Sequence, residues 1–133
     1  MESIQLRSKI TSAGKLEINL ESVILTAPGD DEVQIRIEAS PINPSDLGLL
    51  VGPADVTTMA ISGDENNPLV TMDVPEAMMA AMAARLDESL PVGNEGAGVV
   101  IAAGANAQHM LGKVVGVAGG AMYSQYRNVP ASA

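Results

Sequence analysis

The fold is decided by residues 32–47, which read EVQIRIEASPINPSDL. Polar and apolar residues alternate from Glu32 to Ala39, and this period of two is typical of a half-buried strand. The apolar positions that would share one face are Val33, Ile35, Ile37 and Ala39. Pro41 and Pro44 follow, and proline cannot donate a hydrogen bond to a sheet. The stretch therefore predicts a strand that ends in a turn.

A second informative stretch is residues 93–100, which read GNEGAGVV. The spacing of its glycines resembles that of a dinucleotide-binding fingerprint, but Ile101 occupies the third glycine position. The glycines also precede an apolar strand, whereas a phosphate site needs them between a strand and a helix. We therefore expect these glycines to allow a tight bend and close packing of strands.

The remaining patterns are also mostly those of strands. A hairpin is predicted around Ala13 and Gly14, with Ile4, Leu6 and Ser8 on one face of its first strand. Further strands are expected at 99–103, 113–117 and 122–129. With six to eight short strands and one or two helices, the predicted class is mainly β, a small barrel or sandwich.

The segment at about 52–90 interrupts this rhythm and is predicted to be a solvated insertion of loop and helix. Residues 62–68 have the composition of a polar loop. Asp73 is predicted to be the N-cap of a helix that passes through Met78, Met82 and Leu86. Because methionine is an adaptable apolar side chain, we interpret these methionines as core filler in preference to a ligand-binding patch.

Composition excludes several classes of function. The 133 residues fit one domain, and the net charge of −9 disfavours nucleic acid and anionic membranes as partners. The chain has no cysteine and one histidine, His109, so it is poorly equipped for zinc, which prefers thiolate and imidazole ligands. His109 is expected in an exposed loop. The N-terminus lacks the pattern of a signal peptide, which predicts a cytoplasmic protein.

Asn43 has two possible roles. Asn43, Pro44 and Asp46 occupy the positions of an N-cap, a first helical residue and an acidic third residue, which favours helix capping. Alternatively, the Asn43 amide could hydrogen-bond a substrate carbonyl or a cofactor. The residues alone leave both roles open.

The sequence resembles the N-terminal, GroES-like domain of the medium-chain dehydrogenase/reductase superfamily, and more closely its zinc-independent quinone oxidoreductase branch. The motifs that carry the resemblance are 31–39, 42–47 and 93–100, followed in the expected order by 112–115 and 120–126. The resemblance covers nearly all of the chain except the segment 52–90. It implies a partly open β-barrel with one or two short helices.

The resemblance also bears on metal binding. In the zinc alcohol dehydrogenases of this superfamily, zinc ligands lie where this chain has Asn43 and Asn94. The cysteine-rich lobe that holds a structural zinc has no counterpart here. The resemblance therefore implies an enzyme without zinc.

The implied reaction is hydride transfer from NADPH, or NADH, to a quinone or an enone. Without a metal, hydrogen-bond donors must stabilise the negative charge that develops on the substrate oxygen. The candidate catalytic residues are Asn43, Ser45 and Tyr123, and Asn43, Pro44 and Ser45 are expected beside the nicotinamide. Glu95 is expected to brace the bend and not to transfer protons.

The resemblance has consequences for the whole protein. In this superfamily a doubly wound α/β domain binds the nucleotide, and no such domain is recognisable in residues 1–133. We therefore expect this chain to be a fragment of a longer oxidoreductase, inactive and cofactor-free by itself, with a homodimer possible for the parent. The alternatives are a non-catalytic GroES-like binding or scaffold module, and a binder that has lost its chemistry.

Overall fold

The computed structural model describes all residues from Met1 to Ala133. It contains nine β-strands and two four-residue α-helices, α1 (Leu47–Leu50) and α2 (Glu76–Met79). The strands are β1 (Glu2–Ile10), β2 (Lys15–Ile24), β3 (Glu32–Ala39), β4 (Asp55–Gly63), β5 (Pro68–Asp73), β6 (Leu90–Pro91), β7 (Glu95–Ala103), β8 (Val114–Ala118) and β9 (Tyr126–Pro130). The predicted mainly β class with one or two short helices is confirmed. No helix combines the length and the apolar character needed to cross a bilayer.

The strands form two antiparallel sheets. One has five strands in the order β4-β5-β2-β1-β6, and the other has four in the order β8-β7-β3-β9. Neither sheet closes on itself, so each keeps two edge strands.

The chain divides into two compact units, which are described separately. Unit 1 comprises Met1–Gln5, Ser22–Ile42 and Gly93–Ala133, and unit 2 comprises Leu6–Glu21 and Asn43–Val92. Unit 1 contains the four-stranded sheet. Unit 2 contains β4, β5, β6 and both short α-helices.

The core of unit 1 is built on β3, as its alternation predicts. Val33 and Ile35 are 3% and 1% exposed, and they pack in a cluster with Val100, Ala107, Val117, Met122 and Val129. The predicted face is wrong at Ala39, which is exposed. The register of β3 against β7 shifts between Ile37 and Ala39, so that Ile37 lies opposite Gly98 and Ala39 opposite Ala97. Such a bulge turns the following side chain to the other face of the sheet.

The glycines of β7 permit close packing, as predicted. A Cβ atom on Gly98 would lie 1.9 Å from the carbonyl oxygen of Arg36, far inside van der Waals contact. Gly96 and Gly98 both lie within β7 itself, and no helix begins at them; the next element is a 3-10 helix at Gln108–Met110. The close packing is thus confirmed, whereas the expectation that the glycines precede the strand is wrong for Gly96 and Gly98, because β7 begins at Glu95.

The core of unit 2 depends on methionine. Met72 is 1% exposed and lies in a cluster with Ile10, Leu16 and Val74. Met79 and Met82 pack against this cluster, which confirms the core-filler interpretation for Met82. Met78 is 41% exposed, so the core-filler interpretation is wrong for this residue. The predicted helix is divided, because α2 ends at Met79 and a 3-10 helix continues from Ala80 to Arg85.

The segment at about 52–90 contains more strand than its pattern predicts. β4 and β5 pair with each other, and β5 also pairs with β2. β4 has no buried residue, so burial leaves no period-two signature in its sequence. The expectation that Asp73 is an N-cap is wrong: Asp73 is the last residue of β5 and lies opposite Lys15, while Pro75 precedes α2.

Two further strand predictions need correction. At the start of β1 the buried residues are Ser3 and Gln5, whereas Ile4 is exposed. The Ser3 hydroxyl donates to the carbonyl of Tyr126 at 2.9 Å and accepts from its N–H at 3.0 Å, which accounts for a polar residue on the buried side. The last strand begins at Tyr126, not at residue 122, because the chain bends through 119–125.

Candidate functional site

The predicted cofactor-contacting residues form a capped turn in unit 2. Pro44–Asp46 is a 3-10 helix with Asn43 as its N-cap. The N–H of Asn43 donates to Oδ2 of Asp46 at 2.8 Å, the reciprocal arm of a capping box, and Asp46 is 1% exposed. The buried carboxylate thus fixes the backbone of Asn43. A capping box therefore spans residues 43–46, and one of its arms joins the Asp46 carboxylate to the main chain of Asn43.

Capping does not decide whether Asn43 also contacts a ligand. Pro44 and Ser45 are exposed, and Asn43 is half-buried. Exposed residues on a rigid turn can present a hydroxyl or an amide to a bound molecule, since the scaffold fixes their position. The roles of Asn43, Pro44 and Ser45 beside a nicotinamide stay predictions.

Tyr123, the third predicted catalytic residue, lies in unit 1. Its hydroxyl donates to the carbonyl oxygen of Pro41 at 3.0 Å. A phenol has one proton to donate. To stabilise a substrate oxygen, the Tyr123 hydroxyl would therefore have to break its hydrogen bond to the Pro41 carbonyl and donate to the substrate instead. Whether Tyr123 acts together with Asn43 stays a prediction.

A pocket of about 350 Å³ in unit 1 is lined by both sequence stretches that the motif analysis singled out. Ala39 and Pro41 come from the first stretch, and Glu95 to Ala97 from the second. Gly116, Val117 and Ala118, at the end of β8, complete the lining. The two stretches are about 50 residues apart in sequence and meet because β3 and β7 are neighbours in the sheet.

The wall of this pocket is fixed by short contacts. The Ser40 hydroxyl donates to the carbonyl of Met122 at 2.8 Å. A Cβ on Gly96 would lie 2.9 Å from that same hydroxyl oxygen, and one on Gly93 would lie 2.6 Å from the Tyr123 nitrogen. Gly93 also has a φ of +104°, which favours glycine. Glycine at both positions lets residues 93–96 lie directly against 40 and 122–123.

The other residues considered from the sequence, Asn94, Glu95 and His109, are all exposed. Glu95 and Asn94 are exposed, and the Asn94 carbonyl accepts the N–H of Gly119 at 2.8 Å. His109 is exposed, as expected, but it lies in a 3-10 helix (Gln108–Met110) and not in an irregular loop. No group of three or more His, Cys, Asp or Glu side chains is placed to hold a metal ion.

Sequence reasoning missed the contribution of β8 to the pocket. Gly116 lies opposite Ala97, and Ala118 lies opposite Glu95. Small residues in a strand carry no chemical signal, so only the register reveals that they line a pocket. The glycine inside an otherwise apolar strand was the one available hint.

No protein-family model and no curated protein matches the sequence. Two solved structures resemble the chain in fold. A Bacillus thuringiensis protein assigned as an NADPH:quinone reductase has a TM-score of 0.59 and 21% identity, over 98% of this chain and 31% of its own. The CurF ER cyclopropanase from the curacin A biosynthetic pathway has a TM-score of 0.58 and 19% identity, over 96% of this chain and 33% of its own. This chain spans about a third of either structure, and likeness at these identities establishes the fold alone.

Proposed function

We propose that this chain is the substrate-side domain of a zinc-independent, NAD(P)H-dependent oxidoreductase that transfers hydride to a quinone or an enone. The observation that carries the proposal is the pocket of unit 1. Its lining joins Ala39, the last residue of the motif 31–39, and Pro41 to residues 95–97 of the motif 93–100, and both motifs carry the resemblance to quinone oxidoreductases. The fold shared with a protein assigned as an NADPH:quinone reductase supports the same conclusion.

The polar groups near these stretches suit a reaction at an uncharged carbonyl. The reduction of a quinone or an enone places negative charge on an oxygen, which hydrogen-bond donors stabilise. Ser45 is exposed and carries a hydroxyl, and the hydroxyl of Tyr123 donates to the carbonyl oxygen of Pro41. In the proposed enzyme Ser45 and Tyr123 are each a candidate donor to the substrate oxygen.

The residues of this chain suit only the nicotinamide end of the cofactor. The bound nicotinamide would supply the hydride, with Asn43, Pro44 and Ser45 lying beside it. Four of the seven basic side chains pair with carboxylates, and the two short α-helices have four residues each. Neither feature suits a diphosphate, so we assign the binding of the phosphates to a separate domain.

The proposal is tested with the protein encoded by the complete gene. After exhaustive chelation, it should oxidise NADPH in the presence of 2-methyl-1,4-naphthoquinone, as measured by the loss of absorbance of the reduced nicotinamide. Absence of turnover before and after chelation would refute the proposed reaction. Loss of turnover that zinc restores would refute the metal-free mechanism.

The same protein separates the two roles of Asn43. Replacing Asn43 by Ala should lower the free energy of unfolding by about 1 kcal/mol, the usual cost of losing an N-cap. If Asn43 also contacts substrate or cofactor, turnover should fall at least about tenfold, as expected when a transition-state hydrogen bond is lost. A stability loss with unchanged turnover would mean that capping is its whole role.

A further inference from the structure

The two sheets of this chain have four edge strands, and three of them are protected against pairing with another chain. β6 has two residues and ends in Pro91, β9 ends in Pro130, and β8 follows directly after the exposed Lys113. Short strands, prolines and lysines are common means of keeping an edge from recruiting a further strand. β4 has none of these features, because it extends over nine residues, Asp55–Gly63, without proline or lysine.

The outer edge of β4 is accessible. Eight of its nine residues are exposed, and Thr58 is half-buried. The pairing of β4 with β5 is irregular between Asp55 and Ala60 and regular from Ala60 to Gly63. Because a bulge disturbs the ladder locally, the regular half is the part that can accept a new strand. There, alternate residues direct their main-chain N–H and C=O groups away from β5.

An apolar row of side chains ends at this edge. Ile18 lies opposite Val70, and Val70 lies opposite Ile61, so three β-branched side chains on adjacent strands share one face. Ile18 and Val70 are half-buried, and Ile18 packs against the core of unit 2. Ile61, by contrast, is 79% exposed. A strand added beside β4 would place a side chain opposite Ile61 and continue the row.

The charges around β4 indicate which strand fits. Asp55 precedes the uncharged stretch 56–63, and Asp64 and Glu65 follow it, all three of them exposed. In a second copy paired antiparallel over 56–63, Asp55 of one copy would lie opposite Asp64 of the other. Like charges placed opposite each other destabilise a sheet. The charges therefore disfavour pairing between two copies and favour a strand with basic ends.

We propose that β4 is the docking edge for an extended segment of a partner protein that has β-branched residues at alternate positions and Lys or Arg at its ends. This segment pairs through its main chain with Ala60–Gly63, as extended peptides do at exposed sheet edges. Ile61 and the three flanking carboxylates supply the selectivity. The inference goes beyond the proposed reaction and does not depend on it, because no residue of β4 lines the pocket of unit 1.

The test uses the protein encoded by the complete gene and three fluorescein-labelled peptides. The first peptide is Lys-Lys-Val-Thr-Val-Thr-Val-Lys-Lys. The second has Glu in place of every Lys. The third has Pro in place of the central Val, which keeps the charge but removes a main-chain donor and disfavours pairing. Fluorescence anisotropy measures the dissociation constant of each peptide.

Two variants of the protein have matched controls. Ile61→Lys introduces a charge at the free edge, and Val114→Lys makes the same change at a residue that is 80% exposed on the edge strand β8. Glu65→Lys reverses one acid beside β4, and Glu88→Lys reverses an exposed acid outside β4 and the turn that follows it. Circular dichroism shows first that each variant is folded.

We expect the Lys peptide to bind and the Glu and Pro peptides to bind at least about tenfold more weakly, since one has the wrong charge and the other cannot complete the pairing. Ile61→Lys should weaken the Lys peptide at least about tenfold, because it places a like charge against the peptide and interrupts the apolar row. Glu65→Lys should weaken it about threefold, the scale of an exposed ion pair, and both controls should stay within about twofold.

Several outcomes would overturn the inference. If the Lys peptide does not bind, or if the Pro peptide binds equally well, β4 does not pair with a basic strand. Equal weakening by Ile61→Lys and Val114→Lys would mean that overall charge and not the β4 edge attracts the peptide. Analytical ultracentrifugation tests the other occupant, a second copy of this chain. Self-association of the unaltered protein that Ile61→Lys abolishes would show that β4 pairs with its own copy and that the proposed partner is wrong.

Discussion

The two units of this chain solve the same packing problem in different ways. The sequence contains no Phe and no Trp, so neither unit can fill its core with large rings. Unit 1 brings strands together at glycines, with Gly96 and Gly98 inside β7. Unit 2 packs flexible side chains instead, with Met72 at the centre and Met79 and Met82 against it.

This difference predicts different tolerance to mutation. Close backbone approach is intolerant of any added atom, because main-chain atoms cannot move without breaking sheet hydrogen bonds. Methionine has three rotatable bonds and adapts to its surroundings, so a core built on it accepts volume-conserving changes. The paired strands β3 and β7 of unit 1 should therefore be sensitive to added atoms, and the methionine cluster of unit 2 to removed ones.

The largest effect is expected from Gly98→Ala in unit 1. The added Cβ would lie 1.9 Å from the carbonyl oxygen of Arg36 and 3.0 Å from Cγ2 of Ile35. Relief would require the separation of β3 from β7, so we expect a loss of about 3 kcal/mol or more in the free energy of unfolding. Urea denaturation followed by circular dichroism measures this loss.

Gly116→Ala is the control for that experiment. It adds the same methyl group to the neighbouring strand, where nothing lies within 4 Å. Its free energy of unfolding should change by less than about 0.5 kcal/mol. Equal stability of the Gly98 and Gly116 variants would mean that backbone approach does not hold unit 1 together.

Met72→Ala should have the next largest effect, in unit 2. Met72 is 1% exposed, and removing its side chain should cost about 2 to 3 kcal/mol in the free energy of unfolding, with a cavity left behind. Met72→Leu should cost less than about 1.5 kcal/mol, since volume is nearly conserved. Met78→Ala, at an exposed position, is the control. A Leu variant as unstable as the Ala variant would show that this core is as rigid as that of unit 1.

The strands that the sequence predicts best are those whose burial alternates. β3 is the clearest, and its inward residues Val33 and Ile35 could be named from the pattern alone. β4 could not be predicted, because it is an edge strand with no buried residue and its pairing with β5 leaves no hydrophobic pattern. Hydrophobic patterns record burial and not hydrogen bonding, so a solvent-exposed strand is invisible to them.

The candidate site could be predicted only where the interacting residues are close together in the sequence. The capping box at Asn43 and Asp46 follows from four consecutive residues. The pocket depends on register: a bulge before Ala39 turns it towards Ala97, and β8 brings Gly116 opposite the same residue. Registers between distant strands are set by the whole sheet, so no single stretch of sequence contains them.

Substitution of two partly buried arginines, one in each unit, is expected to change the free energy of unfolding less, and in opposite directions. The Nε atoms of Arg127 in unit 1 and Arg85 in unit 2 are both buried without a hydrogen-bond partner, and burial lowers the pKa of each guanidinium. Arg85 differs because its Nη2 donates to Oγ of buried Ser8 at 3.2 Å. The guanidinium of Arg127 has no such bond, and Arg127 lies opposite the core residue Ile35.

Substitution by Met keeps the apolar stem of each arginine and removes the charge. We expect Arg127→Met to raise the free energy of unfolding by about 0.5 to 1 kcal/mol, because a desolvated charge without a partner is removed. Arg85→Met should lower it by about 1 kcal/mol through the lost hydrogen bond. Thermal and urea denaturation of both variants measure these changes, and the same sign for both would contradict the role given to Ser8.

The smallest expected effect is a pH dependence at the edge of unit 2. The Thr57 hydroxyl donates to Oδ1 of Asp55 at 2.6 Å, and the Thr57 N–H donates to the same atom at 3.0 Å. These bonds, the hydroxyl's first, lower the pKa of Asp55, and desolvation opposes them. A carboxylate whose pKa is lowered by folding stabilises the folded state at pH values above its unfolded pKa, which is about 4. That contribution is lost as the pH falls through the folded pKa.

Asp55→Asn should therefore differ from the unaltered chain more at pH 6 than at pH 2, because the Asp55 carboxylate takes up a proton as the pH falls through its lowered pKa. Thr57→Val, which removes the hydroxyl and keeps the N–H, should show the same trend with a smaller difference. Denaturant titrations at the two pH values measure both. A stability difference that does not change with pH would mean that the hairpin β4–β5 is held by its main-chain pairing alone. In that case the pairing of β4 with β5 depends neither on close glycine contacts of the kind found in unit 1 nor on the methionine core of unit 2.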